Sequence, residues 1–369
     1  MLHRLRRLAA LMALLGILVC LPFALQDMAG FRRAYLAAFV AWLTVPLGCL
    51  ALLLTYHLSG GRWGRMLGEP LEAGARTMPL VALLALPLLV GLDALFPWAQ
   101  AELVAGDELL QAKSFYLDPH FFVLRAVLYL AIWNGLAFLL TRGRTPLADR
   151  PRRRGLAAAG AIVFALTASF AAIDWSMSLD PRFNSSTYGL IAIGGHLNAG
   201  LGFAIGMVLL VASIEERRST LAEAPVVGLG GLLQAAVLLW AYLGFMQYLI
   251  VWSGDLPHNA AWYLARMAGG WGVLIAVVVA GHFVLPFLAL LSERLRHDWR
   301  VVGGLAALVL AAQLLFEVWQ IAPAWGEEAP SPFAIAGALL ALGGLWLFMA
   351  STNLGARSIV LVSREQVDG

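Results

Sequence analysis

Residues 155–214 read GLAAAGAIVFALTASFAAIDWSMSLDPRFNSSTYGLIAIGGHLNAGLGFAIGMVLLVASI. Two runs written almost wholly in Ala, Leu, Ile, Val, Phe and Gly flank a polar, aromatic passage at 171–189 that carries Asp174, Asp180 and Arg182. Each run is about 20 residues long, enough at 1.5 Å per residue to cross a hydrocarbon core of about 30 Å as one helix. Lipid offers no hydrogen bonds to the backbone, so a spanning segment has to satisfy its own, and a helix does. The passage between the runs then sits where lipid gives way to water.

The same pattern fills the chain. Its 369 residues are 61% hydrophobic and 13% charged, with a mean hydropathy of +0.81, whereas a soluble domain carries about 25% charged residues. Apolar runs fall at about 8–25, 34–57, 78–97, 121–141, 155–173, 190–214, 227–252, 266–291, 301–321 and 333–350. These predict an all-α polytopic membrane protein of ten helices, one integral membrane domain over 1–369 with no long soluble part.

Basic residues of short loops stay cytoplasmic. Nineteen of the 25 Lys and Arg residues flank one set of span ends, five (Arg32, Arg33, Lys113, Arg182, Arg266) flank the other, and Arg125 lies just inside a helix start. Both termini are therefore expected in the cytoplasm of a bacterial inner membrane, with residues 171–189 outside. The net charge of +3 is spread over loop flanks instead of forming one patch, so topology accounts for it better than nucleic-acid binding does. Cys20 and Cys49 both fall inside spans, with no CxxC or CxxCH, which leaves neither a disulfide framework nor a covalent haem site. The first helix follows a charged HRLRR leader but lacks an A-x-A cleavage site, and is read as a retained anchor over a cleaved signal. The loop RGRTPLADRPRRR at 142–154 separates four spans from six. Gly202 and Gly206 stand at GxxxG spacing in the sixth span, a signal for close helix approach.

Ionisable groups inside a membrane are costly, and each is a functional candidate. Sorted by depth, Asp93, His196, Asn198, Gln247, Tyr248, Glu317 and Gln320 lie toward the outside, with Asp174 and Trp175 at the boundary and His57 and His282 toward the cytoplasm. Gln313, Glu317 and Gln320 follow at i, i+4 and i+7, so they share one helix face. That face is either a proton-accepting group beside a pocket or a packing contact across helices. His196 and His282 are expected to differ in depth by about 15 Å, too far for one iron. No HExxH, GxSxG, Walker A or ligand-spaced cysteine run is present, which removes the main support for hydrolases and nucleotide-driven pumps.

DWSMSLDP at 174–181, closed by Thr187, Tyr188 and Gly189, resembles the D-W-x-M-S-L-E-P pattern of the ActF-type membrane subunit of alternative complex III. KSFYLDPHFFVLRAVLYLAIW at 113–133 and WAYLGFMQYLIVWSGDLPHNAAWYLAR at 240–266 are similar to two further stretches of that family, in order and on the same predicted face. The chain departs from the pattern at Asp180, where the family has Glu, at FNSST, and at His258 and Asn259 in place of an acidic pair. The family belongs to the NrfD-like, quinone-linked membrane subunits. The resemblance implies two four-helix bundles plus peripheral helices, in a complex that oxidises quinol and passes electrons to a periplasmic acceptor. Haem and iron–sulfur centres are expected only in partner subunits: a multihaem cytochrome c, an iron–sulfur protein and a sister membrane subunit. On this reading Glu317, His196 and Asp93 relay protons near the outer face, while His57 and His282 belong to a cytoplasmic half-channel. Gln247, Tyr248, Gln320 and Trp175 would line or orient the quinone ring. Asp174 and Trp175 match the motif directly, either as pocket or partner contact or as an outer helix cap, with Asp174 on an arginine and Trp175 in the interfacial aromatic belt. A secondary transporter and a purely structural anchor are the alternatives.

Overall fold

A computed structural model describes residues 2–142, 150–214 and 226–354. Ten helices among them are long and apolar enough to span a membrane, and no strand occurs among the described residues. In chain order they are α1 (Leu2–Gln26), α2 (Met28–Ser59), α3 (Arg62–Leu89), α4 (Pro119–Thr141), α5 (Arg150–Trp175), α6 (Tyr188–Ile214), α7 (Val226–Gly254), α8 (Gly270–Leu291), α9 (Trp299–Ile321) and α10 (Pro332–Asn353). The protein is an all-α, multi-pass membrane protein. The end that carries residues 176–187 is called outer below.

The helices group by their contacts. α2, α3, α4 and α5 pack as one four-helix bundle, α6, α7, α8 and α9 as a second, and α1 and α10 pair along the outside of α2. α2 is apolar all round and 94% buried over its hydrophobic window, whereas α1 is 22% buried. α2 is therefore the central post, and α1 shows a leucine-rich face to lipid.

The bundles meet where small residues let backbones touch. A Cβ on Gly48 of α2 would collide with the His196 carbonyl of α6, and one on Gly200 would lie 2.5 Å from the Gly48 carbonyl carbon. Of the GxxxG pair, Gly202 is used: its Cβ would stand 2.7 Å from the Ala306 carbonyl oxygen of α9. Gly206 faces open space. The spacing rule identifies small residues but not which of them meet a neighbour.

Two boundaries differ from the hydropathy reading. The third helix already begins at Arg62 and ends at Leu89, because Pro87 and the left-handed Gly91 (φ 70°) stop it. Its first section, Arg62–Ala75, is too polar to register as a span yet packs on α2 and α6. The loop before the eighth span is likewise a short helix, Pro257–Met267. It breaks at Ala268–Gly269 (φ 55°) before α8 starts at Gly270.

Candidate functional site

The three stretches that carry the resemblance are distant in sequence and meet at the outer end. Arg125 of α4 holds Asp174 of α5 with two hydrogen bonds, Nε to Oδ2 at 2.8 Å and Nη2 to Oδ1 at 3.0 Å. Tyr129 donates to the same carboxylate at 2.9 Å, and the guanidinium lies over the rings of Tyr116 and Phe121. Asp174 and Arg125 are both buried. A charge pair in such a place persists only with its hydrogen bonds satisfied, and here both carboxylate oxygens are. Trp175 turns inward against Phe39, Tyr129 and Trp133. It is a core residue, 5% exposed, and not part of an interfacial belt.

Beyond this corner, Lys113 donates to the Pro181 carbonyl and to Asn184 Oδ1. Phe183 stacks on Trp262 with centroids 4.6 Å apart. Ser185 and Thr187 donate to Gln247 Oε1 at 2.7 and 3.3 Å, and Gln247 Nε2 donates to the Tyr263 hydroxyl at 3.2 Å. Arg266, 1% exposed, donates twice to the Gln320 carbonyl at 2.9 and 2.7 Å and lies 3.8 Å over the Trp262 ring. The guanidinium thus complements the negative end of the α9 dipole. Burial pulls its pKa down to about 10, which leaves it charged at neutral pH.

Beneath this cap lies a cavity of about 980 Å³ between α7, the 257–267 helix, α8 and α9. Its walls are aromatic, with Trp240, Tyr248, Trp252, Trp262, Phe316 and Trp319 among them, and Gln247 and Gln320 are its amide groups. α7 packs on the inner half of α8, from residue 280 to 291, and diverges from the outer half, residues 270–279. The rim of the cavity carries Tyr242, Phe245 and Trp252, 60 to 69% exposed, and the exposed Asp255 just past the end of α7.

A hydrogen-bonded chain leads inward from the cavity wall. Gln320 Nε2 approaches Glu317 Oε2 at 3.4 Å, Gln313 Nε2 donates to Glu317 Oε1 at 2.8 Å, and Gln313 Oε1 is 2.9 Å from His282 Nε2. All four side chains are buried. His282 occupies a π-helical turn, Ala280–Val284, a local widening that often marks functional positions. Its ring stacks on Trp240 at 3.9 Å between centroids, so one face of that indole borders the cavity and the other borders the histidine. The Nδ1 of His282 and the Nε1 of Trp240 are buried without a hydrogen-bond partner.

The predicted site residues therefore divide. Gln247, Tyr248 and Gln320 line one cavity. Glu317 sits directly behind it, and His282 joins the same chain. The depth sorting that set His282 on the cytoplasmic side is corrected: with α6 starting at Tyr188 and α8 at Gly270, His196 and His282 differ by about four residues, or about 6 Å. Gly195, next to His196, abuts the Gln313 amide that bonds His282. His196 itself is buried with Nδ1 unpartnered. Asp93 leaves the set of intramembrane groups, since it is exposed in the turn Leu92–Ala94 beyond α3. His57 stands at the far, inner end of α2 beside Tyr56. Asp174 and Trp175 belong to the α4–α5 corner, away from the cavity. Arg266 and Trp240 bound the third resembling stretch but carry no site role in the sequence reading, because one arginine at a span start and one tryptophan in an apolar run show no periodicity that marks them. Among the described residues no three His, Cys, Asp or Glu side chains gather as a metal-holding group.

Compared with protein-family models and with curated protein sequences, the chain matches neither.

Proposed function

We propose that the chain is a membrane subunit of a respiratory quinol-oxidising complex of the alternative complex III type, in a bacterial inner membrane, with haem and iron–sulfur centres carried by its partners. The observation that carries this reading is the convergence of the three resembling stretches, 113–133, 174–189 and 240–266, into one hydrogen-bonded outer cap. The Lys113, Arg125, Asp174 and Gln247 side chains tie those stretches together. Such a cap offers a rigid, polar outer face on which extramembrane electron-transfer subunits can rest. The two-bundle arrangement agrees with what the resemblance implies.

The test is purification of the tagged chain in mild detergent from its native membrane. Co-elution of a multihaem cytochrome c and an iron–sulfur protein, with quinol oxidation by the assembly, is the expected result. Elution alone, together with solute transport in liposomes, would replace the reading with a secondary transporter.

A further inference from the structure

The cavity has an apolar body and a charged end. On its rim, Tyr242, Phe245 and Trp252 belong to α7, and Asp255 follows the last turn of that helix. Tyr242 and Asp255 are 13 positions apart, about 20 Å along a helix at 1.5 Å per residue. Half of a hydrocarbon core plus one headgroup layer comes to about 20–22 Å. The rim therefore has the depth of one leaflet, starting within the span Gly228–Gly254 and finishing at its outer end. The amides of the wall are already engaged: Gln247 accepts from Ser185 and Thr187 and donates to Tyr263, and Gln320 Nε2 is held by Glu317. Hydrocarbon can lie against such a wall without taking a partner from these groups. Charge stands at the mouth. Asp255 is exposed, closes α7 with a left-handed backbone (φ 46°) and follows one turn after the exposed Trp252. Among the described residues no lysine or arginine lines the cavity, and Arg266, behind Trp262, is buried and committed to the Gln320 carbonyl. A carboxylate beside an indole attracts an ammonium group and offers nothing to a head whose only charge is a phosphate.

We infer that the cavity is a site for an amine-headed phospholipid of the outer leaflet, of the phosphatidylethanolamine class, with an acyl chain between α7, the 257–267 helix, α8 and α9 and the ammonium group at Asp255 and Trp252. The volume of about 980 Å³ lies at the upper end for sites that enclose a drug-sized molecule, so the cavity takes in hydrocarbon while the head stays at the rim. A lipid seated there fills the gap where α7 parts from the outer half of α8 and completes the packing of the second bundle. The inference goes beyond the proposed function and does not depend on it.

The experiment is native mass spectrometry of the delipidated full chain in mild detergent, offered phosphatidylethanolamine and phosphatidylglycerol with identical acyl chains at equal concentration. One retained phosphatidylethanolamine per chain is expected, held about two- to fivefold more tightly than phosphatidylglycerol, the value of one exposed charge pair. A diazirine on its acyl chain should crosslink within 238–255 and 260–283. Asp255→Asn, at an exposed position, should abolish the preference between the heads and leave the crosslinks in place. Gly244 lines the cavity, and a Cβ there meets nothing within 4 Å, so Gly244→Leu fills the space with a better helix former. It should weaken binding of both lipids about tenfold or more, two displaced CH₂ groups being enough, without lowering the melting temperature of the lipid-free chain. Equal retention of the two lipids by the unaltered chain, a preference that survives Asp255→Asn, crosslinks spread around the whole circumference, or undiminished binding by Gly244→Leu would each overturn the inference. So would a quinone, and no phospholipid, in the organic extract of the chain purified from its membrane.

Discussion

At the scale of single residues, the Arg125–Asp174 pair shows how a motif acquires its chemistry. The Asp-Trp dipeptide is a buried corner in which Asp174 accepts from Arg125 and Tyr129 while its own carbonyl accepts from Ser178 at 2.6 Å. Asp174→Asn leaves a buried guanidinium without its counter-charge and is expected to cost about 3–5 kcal/mol. The double change Arg125→Leu with Asp174→Leu should cost less than either single change, and thermal unfolding in detergent measures both. The adjacent Trp175 reads from the sequence as a pocket or partner contact or as part of an interfacial belt, and its core position is set by packing, since hydropathy does not report which way a ring turns at a helix end. Gln313 is the link that no local pattern specified to His282. Gln313→Leu should uncouple His282 from Glu317, which, under the proposed function, an altered pH dependence of quinol oxidation by the complex would reveal.

Elements come together through a few positions that the hydrophobic pattern does not distinguish. Gly48→Ala drives a methyl into the His196 carbonyl and should lower the yield of folded protein and its melting temperature, whereas Gly206→Ala, with open space around it, should leave both unchanged. The outer loop carries a second test. Arg182 hydrogen-bonds the Asp107 carboxyl at 2.6 Å and holds its pKa below the usual carboxylate range, helped by the Leu109 and Leu110 amides. A depressed folded-state value contributes fully above the unfolded value of about 4 and is lost as pH falls through the folded one. Asp107→Asn should therefore lower the melting temperature at about pH 6, and the difference between the two curves should shrink as pH falls below the unfolded value of about 4. The polar first section of α3 escaped the hydropathy reading because Arg62 and Arg65 dilute the signal of a helix that α2 and α6 nonetheless bury on one side.

For the whole molecule, topology is the property on which the functional reading depends. A reporter phosphatase joined after Gly189 should be active only outside the cytoplasm, and one joined after Thr141 should be inactive; the opposite pattern would invert the arginine-based orientation. Ten apolar runs, their helical nature and the shared face of Gln313, Glu317 and Gln320 were all decided by the sequence. Lipid forces each long apolar segment to satisfy its own backbone, and helical periodicity alone places residues on a face. Tertiary structure decided the rest: which glycines meet, how Arg125 finds Asp174 across 49 positions, that His282 joins Glu317 through one amide, and that α7 and α8 part to leave an aromatic cavity. Those outcomes depend on helix ends, a π turn and the angles at which helices cross. Such features arise from packing between distant segments, and no periodicity along a single segment encodes them.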